Sequence, residues 1–165
     1  PDIHTAFSDA TGEEISYRKQ KIDLGLFHRE AGAFFKTGGK GINVTVPFKI
    51  DAFDYAGQLT TRAKNAGAVN TLSLNNDGIV LGDTTDGVGI TRDIVSNLGW
   101  KIKGKKILVL GAGGAVRSIL EPILELFPQH LVVANRTIEK ALELSKSFAE
   151  MGYMLGCDFQ MLKGQ

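Results

Sequence analysis

The feature that most constrains the fold is a glycine-rich turn between an apolar run and a helical pattern. Residues 105–110 form a short, mostly apolar run, which is typical of a parallel strand buried on both faces. Gly111-Ala112-Gly113-Gly114-Ala115 follows directly. A glycine at 111 permits a tight turn, and one at 113 lets the backbone approach a pyrophosphate at a helix N-terminus. The sequence therefore predicts a dinucleotide-binding unit of strand, turn and helix.

The residues after the turn predict the helix and also weaken the motif. Apolar residues at helical spacing form the stripe Val116, Ile119, Leu120, Ile123, Leu124 and Phe127. Pro122 lies inside it and removes a backbone donor, so we expect a kink. The third small residue of the common G-x-G-x-x-G pattern would be at 116, where this chain has valine. A turn that serves only close packing remains an alternative.

The next strand indicates which dinucleotide is bound. Residues 131–134 form a second buried strand, which ends in Asn135-Arg136-Thr137. A site for NAD usually has an acidic residue here for the ribose 2′-hydroxyl, whereas a 2′-phosphate needs cations and neutral donors. Arg136 can pair with phosphate as a bidentate fork, and Asn135 and Thr137 add neutral hydrogen bonds. We therefore expect NADP, with an ordinary surface arginine at 136 as the alternative.

Periodicity predicts the remaining elements. Alternation predicts a strand over 15–23, and Phe27, Ala31, Phe34 and Phe35 predict a helix. Further along we expect a strand over 41–46, helices over 50–56 and 60–65, and a hairpin of 69–74 and 79–81. Two more helices follow. The first is predicted to end at Gly99 and to bury Ile90, Ile94 and Leu98. The second is predicted to begin after an N-cap at Thr137 and to bury Ile138, Leu142, Ser145 and Ala149.

These elements predict an α/β fold in two parts. Residues 1–85 form an α/β domain with a mostly parallel sheet, and residues 86–165 form a connector helix and a partial Rossmann-type domain that binds NADP.

Composition excludes several classes of protein. Nineteen Lys and Arg against eighteen Asp and Glu give a net charge of +1 without a basic block, so we expect no nucleic-acid partner. No apolar run approaches the roughly 20 residues that cross a bilayer, so we expect no membrane partner and a cytoplasmic location. The single Cys157 and three scattered histidines predict neither disulfide nor metal. The sequence begins at Pro1 without methionine, and we expect a piece of a longer chain.

Several polar residues in the first part lie at positions where a purely hydrophobic core would have apolar residues. Asn43 and Thr45 fall on one face of a predicted strand, and Lys49 lies just past its end, where α/β sheets bind ligands. The three side chains can converge on one small molecule. Asp86 opens the connector helix. The alternatives are that Lys49 is a solvated surface lysine and Asp86 only a helix cap.

Five segments together resemble the shikimate dehydrogenase family. They are Asn-Val-Thr-Val-Pro-Phe-Lys at 43–49, Ala-Gly-Ala-Val-Asn-Thr at 66–71, Gly-Asp-Thr-Thr-Asp-Gly at 82–87, Gly-Ala-Gly-Gly-Ala at 111–115 and Asn-Arg-Thr at 135–137. The resemblance implies an NADPH-dependent reduction of 3-dehydroshikimate, with residues 1–85 as the substrate-binding domain. It implies that Lys49 and Asp86 are catalytic and that Thr45 and Asn70 hold substrate hydroxyls.

The resemblance also has departures. The family usually has asparagine where this chain has Thr84. Its first strand, its two substrate-clamping serines and the rest of its cofactor domain would lie outside this sequence. A quinate or quinate/shikimate dehydrogenase and a non-catalytic NADP-binding module remain alternatives, and the sequence does not distinguish a monomer from a homodimer.

Overall fold

The structure is a computed structural model, and it describes residues 1–162. The helices are α1 (Asp2–Thr11), α2 (Phe27–Lys36), α3 (Lys49–Tyr55), α4 (Thr61–Ala66), α5 (Asp86–Arg92), α6 (Gly114–Leu124) and α7 (Ile138–Ser147). The strands are β1 (Gly41–Asn43), β2 (Gln58–Leu59), β3 (Thr71–Leu74), β4 (Val80–Asp83), β5 (Lys106–Leu110), β6 (His130–Ala134) and β7 (Met154–Cys157). The α/β fold class is confirmed. The last three residues of the predicted second part, 163–165, lie outside the described residues.

The first sheet is mixed, with the strand order β1-β3-β4-β2. Strand β3 runs antiparallel to both β1 and β4, and only β2 pairs in parallel with β4. The prediction of a mostly parallel sheet is therefore wrong for this part, because the tight turn at 75–78 forces β3 and β4 to run antiparallel. The predicted hairpin is confirmed. Asn75 Oδ1 accepts hydrogen bonds from the N–H groups of Asp77 and Ile79, and Gly78 has a φ of 77°.

Two strand predictions in this part are corrected. Residues 15–23 form no strand, although their polarity alternates. A strand also needs a neighbour for its backbone N–H and C=O groups, and β1 pairs only with β3 among the described residues. The strand predicted over 41–46 ends at Asn43. Helix α1 is an element that the sequence analysis did not predict, and it buries none of its residues.

The core of the first part lies between the sheet and helices α2 and α3. The predicted inward face of α2 is confirmed, because Phe27 and Ala31 are buried and Phe27 stacks on Phe48 at 5.6 Å between ring centroids. The buried members of this core are Phe27, Ala31, Val44, Ala52, Ala63, Val69 and Leu72. The two short helices predicted after β1 are also confirmed as α3 and α4.

The second sheet is parallel, with the order β5-β6-β7. This arrangement confirms the predicted strand, turn, helix and second strand. Strand β7 is an addition that the sequence analysis missed. Helices α6 and α7 both pack on the face of the sheet that carries Leu131 and Val133.

The opposite face of this sheet is open. Leu108, Leu110 and Leu155 point to that face and are exposed. The prediction that β5 is buried on both faces is therefore wrong for the described residues, because both crossover helices cover the same face.

Three helix predictions in this part need correction. Helix α7 buries Ala141 and Leu144, and Phe148 is buried directly after its end. Of the predicted inward residues, Leu142 and Ala149 are exposed. Helix α6 ends at Leu124, and Phe127 has a left-handed φ of 53° and is exposed. Helix α5 is the third case and has a physical reason of its own.

Helix α5 packs through small residues because α6 lies very close to it. It buries Gly87 and Thr91, and its predicted inward residue Ile90 is exposed. A Cβ on Gly87 would collide with the carbonyl oxygen of Ser118 and lie 2.8 Å from Cγ of Pro122. The helix continues as one π-helical stretch, Asp93–Asn97, which shifts the helical face and leaves Leu98 exposed. Helices α5 and α6, both in the second part, therefore meet at a glycine contact.

Within residues 1–162, no helix is long and apolar enough to cross a membrane.

Candidate active site

Lys49 and Asp86 form an ion pair at the junction of the two parts. Lys49 begins α3 and Asp86 begins α5. The Lys49 ammonium is bonded to Asp86 Oδ2, and the lysine residue is only 9% exposed. A buried ammonium requires such a partner, since its desolvation is costly. Lys49 is therefore not the solvated surface lysine that the sequence left open, and Asp86 is not the cap of α5, whose N-cap residue is Thr85.

Asn70 completes the cluster from the loop before β3. Its Nδ2 donates to Asp86 Oδ1 at 2.7 Å and to the Thr85 hydroxyl at 3.1 Å. Its Oδ1 accepts from the Thr71 hydroxyl at 2.8 Å and from the Thr85 backbone N–H at 3.1 Å. Both oxygens of the Asp86 carboxylate are thus bonded, one to Lys49 and one to Asn70. The structure brings these three predicted site residues together.

The two other predicted substrate residues lie at the exposed rim. Asn43 ends β1 and is paired with Thr71 in the sheet, and its Oδ1 accepts a hydrogen bond from the Tyr17 hydroxyl at 2.9 Å. Thr45 is exposed in the turn after β1. Because β1 ends at Asn43, strand alternation does not fix the side on which Thr45 lies. Neither side chain hydrogen-bonds to the Lys49, Asn70 and Asp86 cluster within the described residues.

A second ion pair stabilises the loop that carries Asp86. Arg62 on α4 pairs with Asp83 at the end of β4, and Thr60 donates to Asp83 Oδ1 at 2.7 Å. The hydrogen bond from Arg62 is the main cause that lowers the pKa of Asp83. Asp83 Oδ1 also accepts the N–H of Thr84 at 2.8 Å. These contacts fix the backbone three residues before Asp86.

Among the described residues, Thr84 in this loop is buried without a hydrogen bond to its side chain. It is 2% exposed, and its hydroxyl has no hydrogen-bond partner in residues 1–162. A buried hydroxyl without a partner is destabilising. This is the position at which the chain departs from the family's usual asparagine.

The glycine turn has the geometry expected of an anion site. Gly111 has a φ of 110°, which only glycine adopts readily, and its N–H donates to the carbonyl of Ala134 at 2.8 Å. Helix α6 begins at Gly114, and no side chain caps it. Its first N–H groups therefore have no intrahelical acceptor and carry the positive end of the helix dipole. The turn fits the pyrophosphate of a dinucleotide, with Ala112 buried and Gly113 and Ala115 exposed.

The glycine turn also lies close to the aliphatic part of the Lys49 side chain. A Cβ built on Gly114 would lie 3.3 Å from Cβ of Lys49 and 3.7 Å from Cβ of Ala68. The sequence analysis did not predict this contact, because residues 49 and 114 are far apart in the chain. It places the predicted cofactor turn against the predicted catalytic lysine.

The end of β6 leaves cationic and neutral donors open to solvent. Asn135 Nδ2 donates to the carbonyl of Thr137 at 2.8 Å and shapes the loop, while Arg136 and Thr137 are exposed. Arg136 takes part in none of the ion pairs among residues 1–162. Thr137 stands at the N-cap of α7, but its side chain makes no capping hydrogen bond. This donor set fits a 2′-phosphate.

Residues 1–162 contain no cluster of three His, Cys, Asp or Glu side chains that could hold a metal ion. Cys157 is a buried free thiol whose pKa is raised by burial.

The sequence analysis missed three residues that support the site. Thr71 and Thr85 bond to Asn70, and Arg62 bonds to Asp83. Thr71 and Thr85 lie within motifs quoted for the family resemblance, so their position gave a signal. No pattern in the sequence distinguished Arg62 from a solvated arginine.

Two family models match this chain. One, described as the shikimate dehydrogenase substrate binding domain, matches residues 1–72, and one described as shikimate / quinate 5-dehydrogenase matches residues 93–162. A curated shikimate dehydrogenase (NADP(+)) from Chromobacterium violaceum is 52% identical over the whole chain, which covers 60% of that relative. The chain spans about 60% of the length of the curated relatives that it matches.

Solved structures agree with this match. An Ael1 enzyme from Pseudomonas putida is 38% identical in sequence, with a TM-score of 0.88. The match covers the whole of this chain and 60% of the chain of that enzyme. Shikimate 5-dehydrogenase from Thermus thermophilus, solved with NADP(H) and shikimate, is 28% identical in sequence, with a TM-score of 0.81. That match covers 93% of this chain and 56% of the Thermus chain. The two domain models, the relatives and the motifs agree, and the chain belongs to the shikimate dehydrogenase family.

Proposed function

We propose that the protein carrying this chain is an NADP-dependent oxidoreductase that interconverts 3-dehydroshikimate and shikimate by hydride transfer. The observation that carries the proposal is the contact between Gly114 of the glycine turn and Lys49 of the ion pair. It brings a dinucleotide site and an acid–base pair together. Support also comes from relatives named shikimate dehydrogenase (NADP(+)).

The proposed substrate-binding and cofactor-binding domains correspond to the two sheets. Residues 1–85 would form the substrate-binding domain, and residues 86–165 would form the connector helix and part of the cofactor domain. Each part has its own sheet and its own buried cluster. Asp86, at the start of α5, would then belong to the joint between the domains, where a substrate can face the nicotinamide.

Lys49 and Asp86 would be the catalytic pair. Bound NADPH would supply the hydride that adds to the substrate carbonyl carbon. Negative charge then develops on the carbonyl oxygen, and the Lys49 Nζ ammonium would stabilise it and provide a proton. Asp86 would keep Lys49 oriented through their ion pair.

Substrate hydroxyls would be held by Asn43, Thr45 and Asn70. Asn70 already stands beside Asp86. Asn43 and Thr45 lie on the exposed chain that leads to Lys49, where a ligand can reach them.

NADP would be held by two backbone regions. The turn Gly111-Ala112-Gly113-Gly114-Ala115 would bind the pyrophosphate through N–H groups at the start of α6. Asn135, Arg136 and Thr137 would bind the 2′-phosphate, with Arg136 as the cation. No acidic residue stands among these three to repel that phosphate.

Quinate is a second candidate substrate, because the model that matches residues 93–162 is described for both shikimate and quinate. A non-catalytic NADP-binding module is the alternative of another class. Against it stands the buried ion pair, since binding a dinucleotide requires neither Lys49 nor Asp86 and a buried ion pair is a weak source of stability.

The test is NADPH oxidation with 3-dehydroshikimate by the complete natural gene product, with quinate and NADP as a parallel assay. Lys49→Ala should lower kcat by about 10²- to 10⁴-fold, the range of a lost general acid. Lys64→Ala, which removes an exposed lysine on α4, is the matched control and should remain active. An inactive wild type, or full turnover by Lys49→Ala, would contradict the proposal.

A further inference from the structure

The side-chain amide of Asn70 is hydrogen-bonded inside the protein through both its nitrogen and its oxygen. A primary amide offers two N–H donors and two acceptor lone pairs. Its donors go to Asp86 Oδ1 and the Thr85 hydroxyl, and its acceptors receive the Thr71 hydroxyl and the Thr85 backbone N–H. These four hydrogen bonds measure between 2.7 and 3.1 Å, and the Thr85 hydroxyl also lies 3.3 Å from Asn70 Oδ1, where it can donate to that oxygen.

These partners allow only one orientation of the amide. The backbone N–H of Thr85 can only donate, so it must face the Asn70 oxygen. A flipped amide would place its NH₂ group against that N–H and its oxygen against the Asp86 carboxylate. Both contacts would then be repulsive. The NH₂ group therefore faces Asp86 and supports the carboxylate oxygen that Lys49 does not reach.

The Thr71 hydroxyl supports this orientation from a rigid position. Thr71 lies on β3, between Asn43 on β1 and Asp83 on β4 in the sheet register. Strand β3 is held by neighbours on both sides, so the hydroxyl has a fixed origin 2.8 Å from Asn70 Oδ1. Loss of this hydroxyl would remove the shortest hydrogen bond to Asn70 Oδ1 and leave the Thr85 N–H at 3.1 Å and the Thr85 hydroxyl at 3.3 Å.

We infer that Thr71 is a positioning residue, which acts through Asn70 to hold the Asp86 carboxylate in line with Lys49. The inference rests on the proposed function. It adds a residue that would touch neither substrate nor cofactor. A substrate hydroxyl would then bond to Asn70 by replacing the Thr85 hydroxyl as a partner of its amide. The hydrogen bonds run from the Thr71 hydroxyl to Asn70, then to Asp86 and Lys49.

The test is a set of steady-state measurements on the complete natural gene product. Thr71→Val keeps the shape of the side chain and removes the hydroxyl. It should lower kcat by about 10-fold, the equivalent of one hydrogen bond, and leave the KM for NADPH unchanged. Thr71→Ser keeps a hydroxyl and should restore most of the turnover. Ser73→Ala, on the same strand face but two residues from the site, is the control and should match wild type.

A double-mutant cycle separates positioning from general damage. In an Asp86→Ala background no carboxylate remains to be held, so Thr71→Val should cause no further loss of residual kcat. An equal loss in both backgrounds, or normal turnover by Thr71→Val, would overturn the inference.

A spectroscopic measurement separates this inference from the proposed function. The side-chain NH₂ signals of Asn70 in ¹H–¹⁵N NMR should be protected from solvent exchange in wild type and Thr71→Ser, and less protected in Thr71→Val. If wild type does not reduce 3-dehydroshikimate, the proposed function fails. If Thr71→Val leaves the Asn70 protection unchanged, the inference fails whatever the activity.

Discussion

The two sides of the candidate site are built in opposite ways. Around Asp86, side chains satisfy one another: Lys49 and Asn70 bond to its two carboxylate oxygens. At the glycine turn, no side chain caps α6, and Arg136 is exposed without an ion pair among the described residues. One side is complete before a ligand arrives, whereas the other presents donors that a phosphate would complete.

This difference follows from the chemistry each side would perform. A proton-transfer pair requires fixed geometry, since a misplaced donor loses much of its effect. A phosphate brings its own charge and oxygens, so exposed N–H groups and one arginine suffice to bind it. We therefore expect substitutions near Asp86 to act through packing and hydrogen bonds in the free protein, and substitutions near Arg136 to act only when cofactor is present.

The first prediction concerns the joint between the two sides. Gly87→Ala places a methyl group against the backbone of α6 at Ser118 and 2.8 Å from Pro122 Cγ. Because backbone cannot move aside cheaply, the free energy of unfolding should fall by about 3 kcal/mol. Urea unfolding of the complete natural gene product measures it.

Gly89→Ala is the matched control for this prediction. It lies on the same helix, and a Cβ there would meet nothing within 4 Å. Alanine in an open helical position should stabilise by about 0.5–1 kcal/mol. Equal effects of the two substitutions would mean that the close contact between α5 and α6 is wrong.

The second prediction tests the open side. Arg136→Ala should raise the KM for NADPH by about 10- to 100-fold, because a charge-assisted hydrogen bond contributes about 1.5–3 kcal/mol. The KM for NADH should change much less, since NADH lacks the 2′-phosphate. Unfolding without cofactor should not change. Lys140→Ala, which removes a nearby exposed lysine on α7, is the charge control. An equal rise for both cofactors would remove the assigned role of Arg136.

How much the sequence could predict differs between these two sides as well. The glycine turn and the end of β6 are continuous segments, so local spacing was enough to predict strand, turn, helix and strand. The cluster around Asp86 joins residues 49, 70 and 86 through tertiary contacts. Periodicity alone left Lys49 and Asp86 with ordinary alternatives, and the family resemblance was needed to select them.

The wrong predictions have a common physical origin. The strand at 15–23 failed because alternating polarity does not supply a pairing neighbour. The inward face of α5 failed because large apolar residues were expected to be buried, whereas α5 buries Gly87 and Thr91 against a close neighbour. Contacts of small residues depend on which helix lies opposite, and a sequence pattern does not contain that information.

The smallest predicted effect concerns Thr84. Among residues 1–162, its buried hydroxyl is the one near Asp86 that has no hydrogen-bond partner. Thr84→Val replaces it with a methyl group of the same shape, so the free energy of unfolding should rise by about 1 kcal/mol. Thr91→Val is the control. It removes a buried hydroxyl that donates to Gly87 O at 2.8 Å, and it should lower stability instead. If Thr84→Val is destabilising instead, the Thr84 hydroxyl has a hydrogen-bond partner in the protein. The hydrogen bonding around Asp86 would then be complete at residue 84 as well as at residue 70.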